Sequence, residues 1–126
     1  MEKKNTNIIK DIVISTDIRK FYKQYLNIIK PLLPQHISTG ELNLLAELLY
    51  FENKYKDLEQ SIRSKLVFDH DTKIDIMSNL DISYNTFGNL LSSLRTKDYI
   101  KGRIIKQSLL VHPTDSYSIN YTFKIK

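Results

Sequence analysis

The chain contains no cysteine. Disulfides and cysteine-ligated metal sites are therefore excluded, a composition that suits a reducing compartment. Glycine and proline are scarce, three of each in 126 residues, which argues against a disordered or low-complexity polymer. Long apolar runs are missing as well, because every stretch of Ile, Leu or Val is soon interrupted by Lys, Asn or Glu. No segment has the roughly 20 apolar residues that a membrane-crossing helix requires. The opening MEKKNTN is polar where a secretory leader carries an apolar stretch. The expectation is a protein neither exported nor inserted in a membrane, in the cytoplasm of a bacterial or phage-infected cell or, alternatively, in a virion. Heavy use of Lys, Asn and Ile fits an AT-rich bacterial or viral genome.

Catalytic patterns are equally sparse. His36, His70 and His112 lie far apart, and none forms a ligand pair at helical spacing. There is no glycine-rich phosphate loop and no serine or cysteine nucleophile motif. Asp69-His70-Asp71 offers oxygen and nitrogen ligands to a cation, but a cap on the following helix explains it more simply. The sequence thus reads as a non-enzyme with no cofactor and no metal.

What is present is an ordinary globular balance, 41% hydrophobic and 26% charged, in a length that supports one core. The net charge of +5 is unevenly placed: residues 1–38 carry +4, residues 39–82 carry −4 and residues 83–126 carry +5. A polyanionic partner would therefore meet the C-terminal third, and the N-terminal third next. A merely solvated, uneven surface is the alternative.

Along the chain, Ile8 to Ile14 is rich in β-branched residues and predicts a short strand. From Thr16 the period changes: Ile18, Phe21, Tyr22, Tyr25 and Ile29 share one helical face, and Pro31 closes the helix. Ser38-Thr39-Gly40-Glu41 has the form of a capping box. The helix it starts places Leu42, Leu45, Leu48 and Leu49 inward, with Leu44 and Phe51 widening the stripe and Glu41, Glu47 and Glu52 expected outside. Leu58, Ile62 and Leu66 allow a further short helix. Beyond the Asp69 cap, Ile74, Met77 and Leu80 mark a helix up to Asp81. After a break of about three residues, Ser83 caps another, with Phe87, Leu90, Leu91 and Leu94 on its apolar face. Finally Tyr117, Ile119, Tyr121, Phe123 and Ile125 alternate with polar residues, the clearest strand signal in the chain.

The segment Lys73 to Val111, KIDIMSNLDISYNTFGNLLSSLRTKDYIKGRIIKQSLLV, resembles a winged helix-turn-helix domain. Ile74, Met77 and Leu80 match the support helix, Ile82-Ser83 the turn, Phe87, Leu91 and Leu94 the buried side of the recognition helix, and Thr96 to Ile100 the start of the wing. With the helix from Thr39 to about Tyr55 as the first of three, the likeness covers about residues 38–112. It implies an α+β fold: a three-helix core plus β-wing in residues 38–126 with a C-terminal strand, preceded by a strand-helix extension in residues 1–37. Asp81 and Asp98 stand where the family usually has glycine, and both are expected to need a left-handed backbone.

The resemblance directs attention to the side of the second helix away from the leucines. Asn85, Thr86 and Asn89 are of types that bond base edges, with Tyr84 and Ser92 beside them. Arg95, Lys97, Lys101, Arg103 and Lys106 flank them as candidate phosphate contacts. Double-stranded DNA is then the expected partner of a regulator-like protein, with a homodimer through residues 16–30 to match paired half-sites. The competing reading, of a different class, is a docking module among the subunits of a phage particle. It draws on the nearly uncharged face, on eight tyrosines and on a terminal strand able to join a neighbour's sheet.

Overall fold

The computed structural model describes residues 12–126. Among these residues five helices follow one another: α1 (Ile18–Ile29), α2 (Thr39–Lys54), α3 (Gln60–Val67), α4 (His70–Leu80) and α5 (Tyr84–Thr96). A small antiparallel hairpin comes next, β1 (Ile100–Lys101) and β2 (Ile104–Ile105), paired Ile100 to Ile105 and Lys101 to Ile104. Short 3-10 turns occupy Lys30–Leu32 and Gln107–Leu109. The composition is α+β and mainly helical. No helix among the described residues is long and apolar enough to cross a membrane.

Four of the five helix starts are fixed by side-chain caps that satisfy otherwise free amides. Asp17 accepts from the Lys20 amide, Asp69 from Thr72 and Ser83 from Thr86. Ser38 and Glu41 form the full reciprocal capping box at α2. At the other end of α4, Asp81 sits at φ 55°, and after α5 Asp98 sits at φ 64°, the left-handed conformation expected at both positions. The amides there are still used: Ile82 N–H bonds the Met77 carbonyl and Tyr99 N–H the Leu94 carbonyl, closing the two helices.

The core is organised around α2, which packs against α1, α3, α4 and α5. With neighbours on so many sides, α2 has little face left for solvent. Leu42, Leu44, Leu45, Leu48, Leu49 and Phe51 are all buried, and so are Glu41, Glu47 and Glu52. The expectation that these glutamates lie outside is therefore overturned, because it assumed a single apolar stripe. Each buried carboxylate instead holds a cation from a different element: Glu41 with Lys97, Glu47 with Arg19 of α1, and Glu52 with Arg63 of α3. Pairing is what makes burial of such groups tolerable.

Arg19 shows how such a pair joins helices. Its Nε lies 3.1 Å from Glu47 Oε1, its Nη2 reaches Asp75 of α4 at 3.0 Å, and its guanidinium lies 5.0 Å from the Tyr50 ring centroid. Hydrogen bonding to Glu47, opposed by burial and aided by Asp75, holds its pKa above the usual arginine range. Asn79 donates to the second Glu47 oxygen at 2.9 Å. One arginine thus staples α1 to both α2 and α4.

α1 belongs to this core. Tyr22 and Leu26 are fully buried and Tyr25 nearly so, while the Tyr22 hydroxyl donates to the Val111 carbonyl at 2.7 Å. Within residues 16–30, the expected homodimer contact, these three side chains thus serve the chain's own core. Ile18, expected on the buried face, is 40% exposed at the helix start.

Other corrections concern helix phase and the terminal strands. In α4 the inward residues are Thr72 and Ile76, with Met77 and Leu80 half-buried and Ile74 exposed. In α3, Ser64 and Val67 turn inward while Ile62 is exposed, and Leu58, also exposed, precedes the helix. Neither expected terminal strand is present among the described residues. Ile12, Val13 and Ile14 are exposed and unpaired in any sheet, and Ile8 to Asp11 of that expected strand lie outside the described residues. Tyr117 to Ile125 forms no strand either, although its alternation is clear. Alternation supplies a face but not a partner ladder, and the only sheet among the described residues has two strands of two residues each.

Candidate nucleic-acid interface

The candidate surface is built by α4, the three residues Asp81 to Ser83, α5 and the hairpin. α4 ends on the left-handed Asp81, and Ser83 starts α5 at once. α5 is then oriented by its apolar side. Phe87 and Leu94 are buried, and Leu90 and Leu91 are half-buried against the core. Gly40 of α2 lets Leu90 come close: a Cβ at Gly40 would stand 3.1 Å from Leu90 Cδ2.

With that side fixed, the opposite side of α5 is left open. Tyr84, Asn85, Thr86, Gly88, Asn89, Ser92 and Arg95 are all exposed. Among the described residues, neither the segment before α1 nor the one after the hairpin buries them. Asn85 and Asn89 are four residues apart and so project from one face, one turn apart. Gly88 lies between them, and a Cβ built there meets nothing within 4 Å. Tyr84 is positioned by Lys73 of α4, whose Nζ lies 3.9 Å from its ring centroid. No local pattern announces that contact, because the two residues come from different helices.

The cations divide into two groups. Lys101, Arg103 and Lys106 are exposed on and beside the hairpin. Gly102 has φ +64° and Arg103 has no positive φ, the pattern of a two-residue type II′ turn, which places glycine first. Arg95 is exposed but anchored, since its Nε donates to the Gly102 carbonyl at 3.0 Å and links α5 to the turn. Lys97 is turned inward. Its Nζ lies 2.8 Å from both the His36 carbonyl and Glu41 Oε1. Of the ten residues singled out in the sequence, nine are thus exposed, on α5 or on and beside the hairpin that Arg95 ties to it, and Lys97 instead turns inward to Glu41.

The Glu41 carboxyl is the electrostatic centre of that support. Burial pushes its pKa up, but the Lys97 ammonium, the Ser38 amide and the Ser93 hydroxyl outweigh burial and bring it down to about 2. Ser93 lies on the half-buried flank of α5, so α5 is tied to α2 by both Ser93 and Lys97. Asp69, in the other polar cluster noted in the sequence, caps α4. Among the described residues, no three His, Cys, Asp or Glu side chains converge as metal ligands would.

Chemically, the surface offers amides and hydroxyls along a helix, with three exposed cations on and beside the hairpin and an arginine anchored to the turn. The chain matches no protein-family model, no curated protein and no solved structure at a significant level.

Proposed function

We propose that this chain is a winged-helix DNA-binding protein, regulator-like and non-enzymatic, in which α5 lies in the major groove of double-stranded DNA. In this reading α2, α4 and α5 are the three helices, and the hairpin β1-β2 is a short wing. Asn85 and Asn89 meet base edges, since an asparagine amide can pair in bidentate fashion with adenine. Thr86, Ser92 and Tyr84 bond at the margins, and Arg103, Lys101 and Lys106 hold phosphates, with Arg95 joining from its anchored position. The observation that carries the reading is the open outward side of α5 beside the exposed Lys101, Arg103 and Lys106. Such a protein works in the cytoplasm, where duplex DNA is available.

The test is a mobility-shift titration with random-sequence duplex across a range of salt. Phosphate contacts release counterions, so retention is expected to fall log-linearly, with a slope of about 0.9 per phosphate neutralised. No retention even at low salt would refute the reading.

A second reading has its own observation in support. The outward side of α5 carries only one charge, on Arg95, and part of that group is engaged by the Gly102 carbonyl. A face with so little charge also fits docking onto protein, such as another subunit of a phage particle, which places the chain in a virion. Failure to bind DNA together with co-assembly into particles would favour this second reading.

A further inference from the structure

The segment Tyr117 to Ile125 combines a strand pattern with the absence, among the described residues, of any strand to pair with. Its first half touches the body through every second residue, at α1 through Tyr117 and Tyr121 and at the core through Ile119. The Tyr117 ring packs edge-on against Phe21 and Tyr25, with centroids 5.5 and 5.9 Å apart. Ile119 is half-buried against the core, and the Tyr121 hydroxyl donates to the Ile28 carbonyl at 3.3 Å. Contact by alternate residues is the period of an extended strand. The same odd-numbered face then runs off the body: Phe123 is 87% exposed and Ile125 is 92% exposed. Two large apolar side chains therefore continue that face while almost fully exposed.

We infer that this segment is a homodimerisation strand, pairing antiparallel with the same segment of a second copy about a two-fold axis at Tyr121. The sequence selects the occupant, because the segment is complementary to itself. With Tyr121 opposite Tyr121, Ile119 falls opposite Phe123 and Tyr117 opposite Ile125, so every pair on the seated face is apolar. Aromatic and β-branched residues in such cross-strand pairs are favourable combinations. On the other face Lys124 falls opposite Ser118 and Thr122 opposite Asn120, so no two lysines oppose each other. Moving the axis one residue toward the N-terminus sets Asp115 against Ile125 and breaks the pattern. In the Tyr121 register Phe123 and Ile125 of one copy lie beside Ile119 and Tyr117 of the other, over the partner's α1. One surface patch meeting itself is the isologous contact of a two-fold dimer. The inference stands whether the partner of α5 is DNA or protein.

The absence of native cysteine makes a register test clean. Directly opposed antiparallel residues lie about 4.5 to 5.5 Å apart at Cα, within disulfide range. Under mild oxidation Tyr121→Cys is expected to link to its own copies, whereas Ser118→Cys links efficiently only when mixed with Lys124→Cys. Sedimentation equilibrium of the unmodified full chain is expected to show a dimer. Phe123→Lys with Ile125→Lys should weaken its association by roughly a hundredfold, since each change is felt twice in a symmetric pair. Asn120→Lys, on the opposite face, controls for folding and should leave the dimer in place with unchanged helical circular dichroism. A full chain that stays monomeric at every concentration would overturn the inference, including one whose tail amides are protected by pairing within the chain to Ile8 to Ile14. So would a dimer indifferent to Phe123→Lys with Ile125→Lys, or self-linking of Ser118→Cys as efficient as that of Tyr121→Cys.

Discussion

Lys97 Nζ lies 2.8 Å from Glu41 Oε1, joining the residue that closes α5 to the first turn of α2. The pair turns inward between α5 and α2, so the lysine acts on the proposed recognition surface by holding α5 rather than by touching a ligand. Lys97→Met removes the cation and leaves the buried Glu41 carboxylate with the Ser38 amide and the Ser93 hydroxyl alone. Breaking a fully buried pair costs about 3 to 5 kcal/mol, but the Lys97 side chain is 25% exposed, so about 1 to 3 kcal/mol is expected. Urea denaturation measures it, and the salt slope of DNA retention should be unchanged.

The same carboxyl sets an acid limit on stability. The Glu41 pKa falls from its ordinary 4.5 to about 2 in the folded chain, so its protonation opposes folding. Its stabilising contribution is complete above pH 4.5 and is lost as pH falls from there toward 2. Glu41→Gln is expected to flatten the stability-against-pH curve in that window, at the cost of lower stability at neutral pH. An unchanged acid limb in Glu41→Gln would show that other carboxyls govern it.

Two glycines separate backbone effects from packing. Neither Gly88 nor Gly102 has an atom within 4 Å of where a Cβ would stand, but Gly102 alone has positive φ, at +64°. Gly88→Ala, inside α5, should therefore stabilise by about 0.5 to 1 kcal/mol through helix propensity. Gly102→Ala should destabilise by about 1 to 2 kcal/mol, the cost of a left-handed backbone with a side chain. Thermal unfolding of the two variants, with opposite signs of change, checks both.

Base contacts and phosphate contacts should also separate. Asn85→Ala and Asn89→Ala are each expected to relax sequence preference by about 1 to 3 kcal/mol, with little change in salt slope. Arg103→Ala should weaken all duplexes alike and lower the slope by about one. Competition between a selected site and random duplex, at two salt concentrations, distinguishes these outcomes.

Local signals were legible in the sequence where local chemistry decides the outcome. Ser38, Asp69 and Ser83 announce their helices because a cap is formed within three residues. Asp81 and Asp98 were expected at positive φ because they stand where the winged-helix pattern they resemble carries glycine, and the open face of α5 followed from the spacing of Phe87, Leu90, Leu91 and Leu94. Features fixed by distant neighbours were not legible. Burial of Glu41, Glu47 and Glu52 depends on cations 56, 28 and 11 residues away in sequence. Lys97 had the look of a surface cation for the same reason. Ile74 and Ile76 are both apolar, and only the packing of α4 on α2 determines that Ile76 turns inward. The alternation from Tyr117 onward records a face that meets α1, and a strand ladder does not follow from a face.

The most direct measurement is a salt-titrated mobility shift with Arg103→Glu combined with Lys106→Glu, both exposed beside α5. The account predicts that the unmodified chain retains random duplex DNA at low salt, and that the doubly reversed variant, with unchanged circular dichroism, does not. Equal retention by the two proteins would contradict groove binding by α5 and its hairpin.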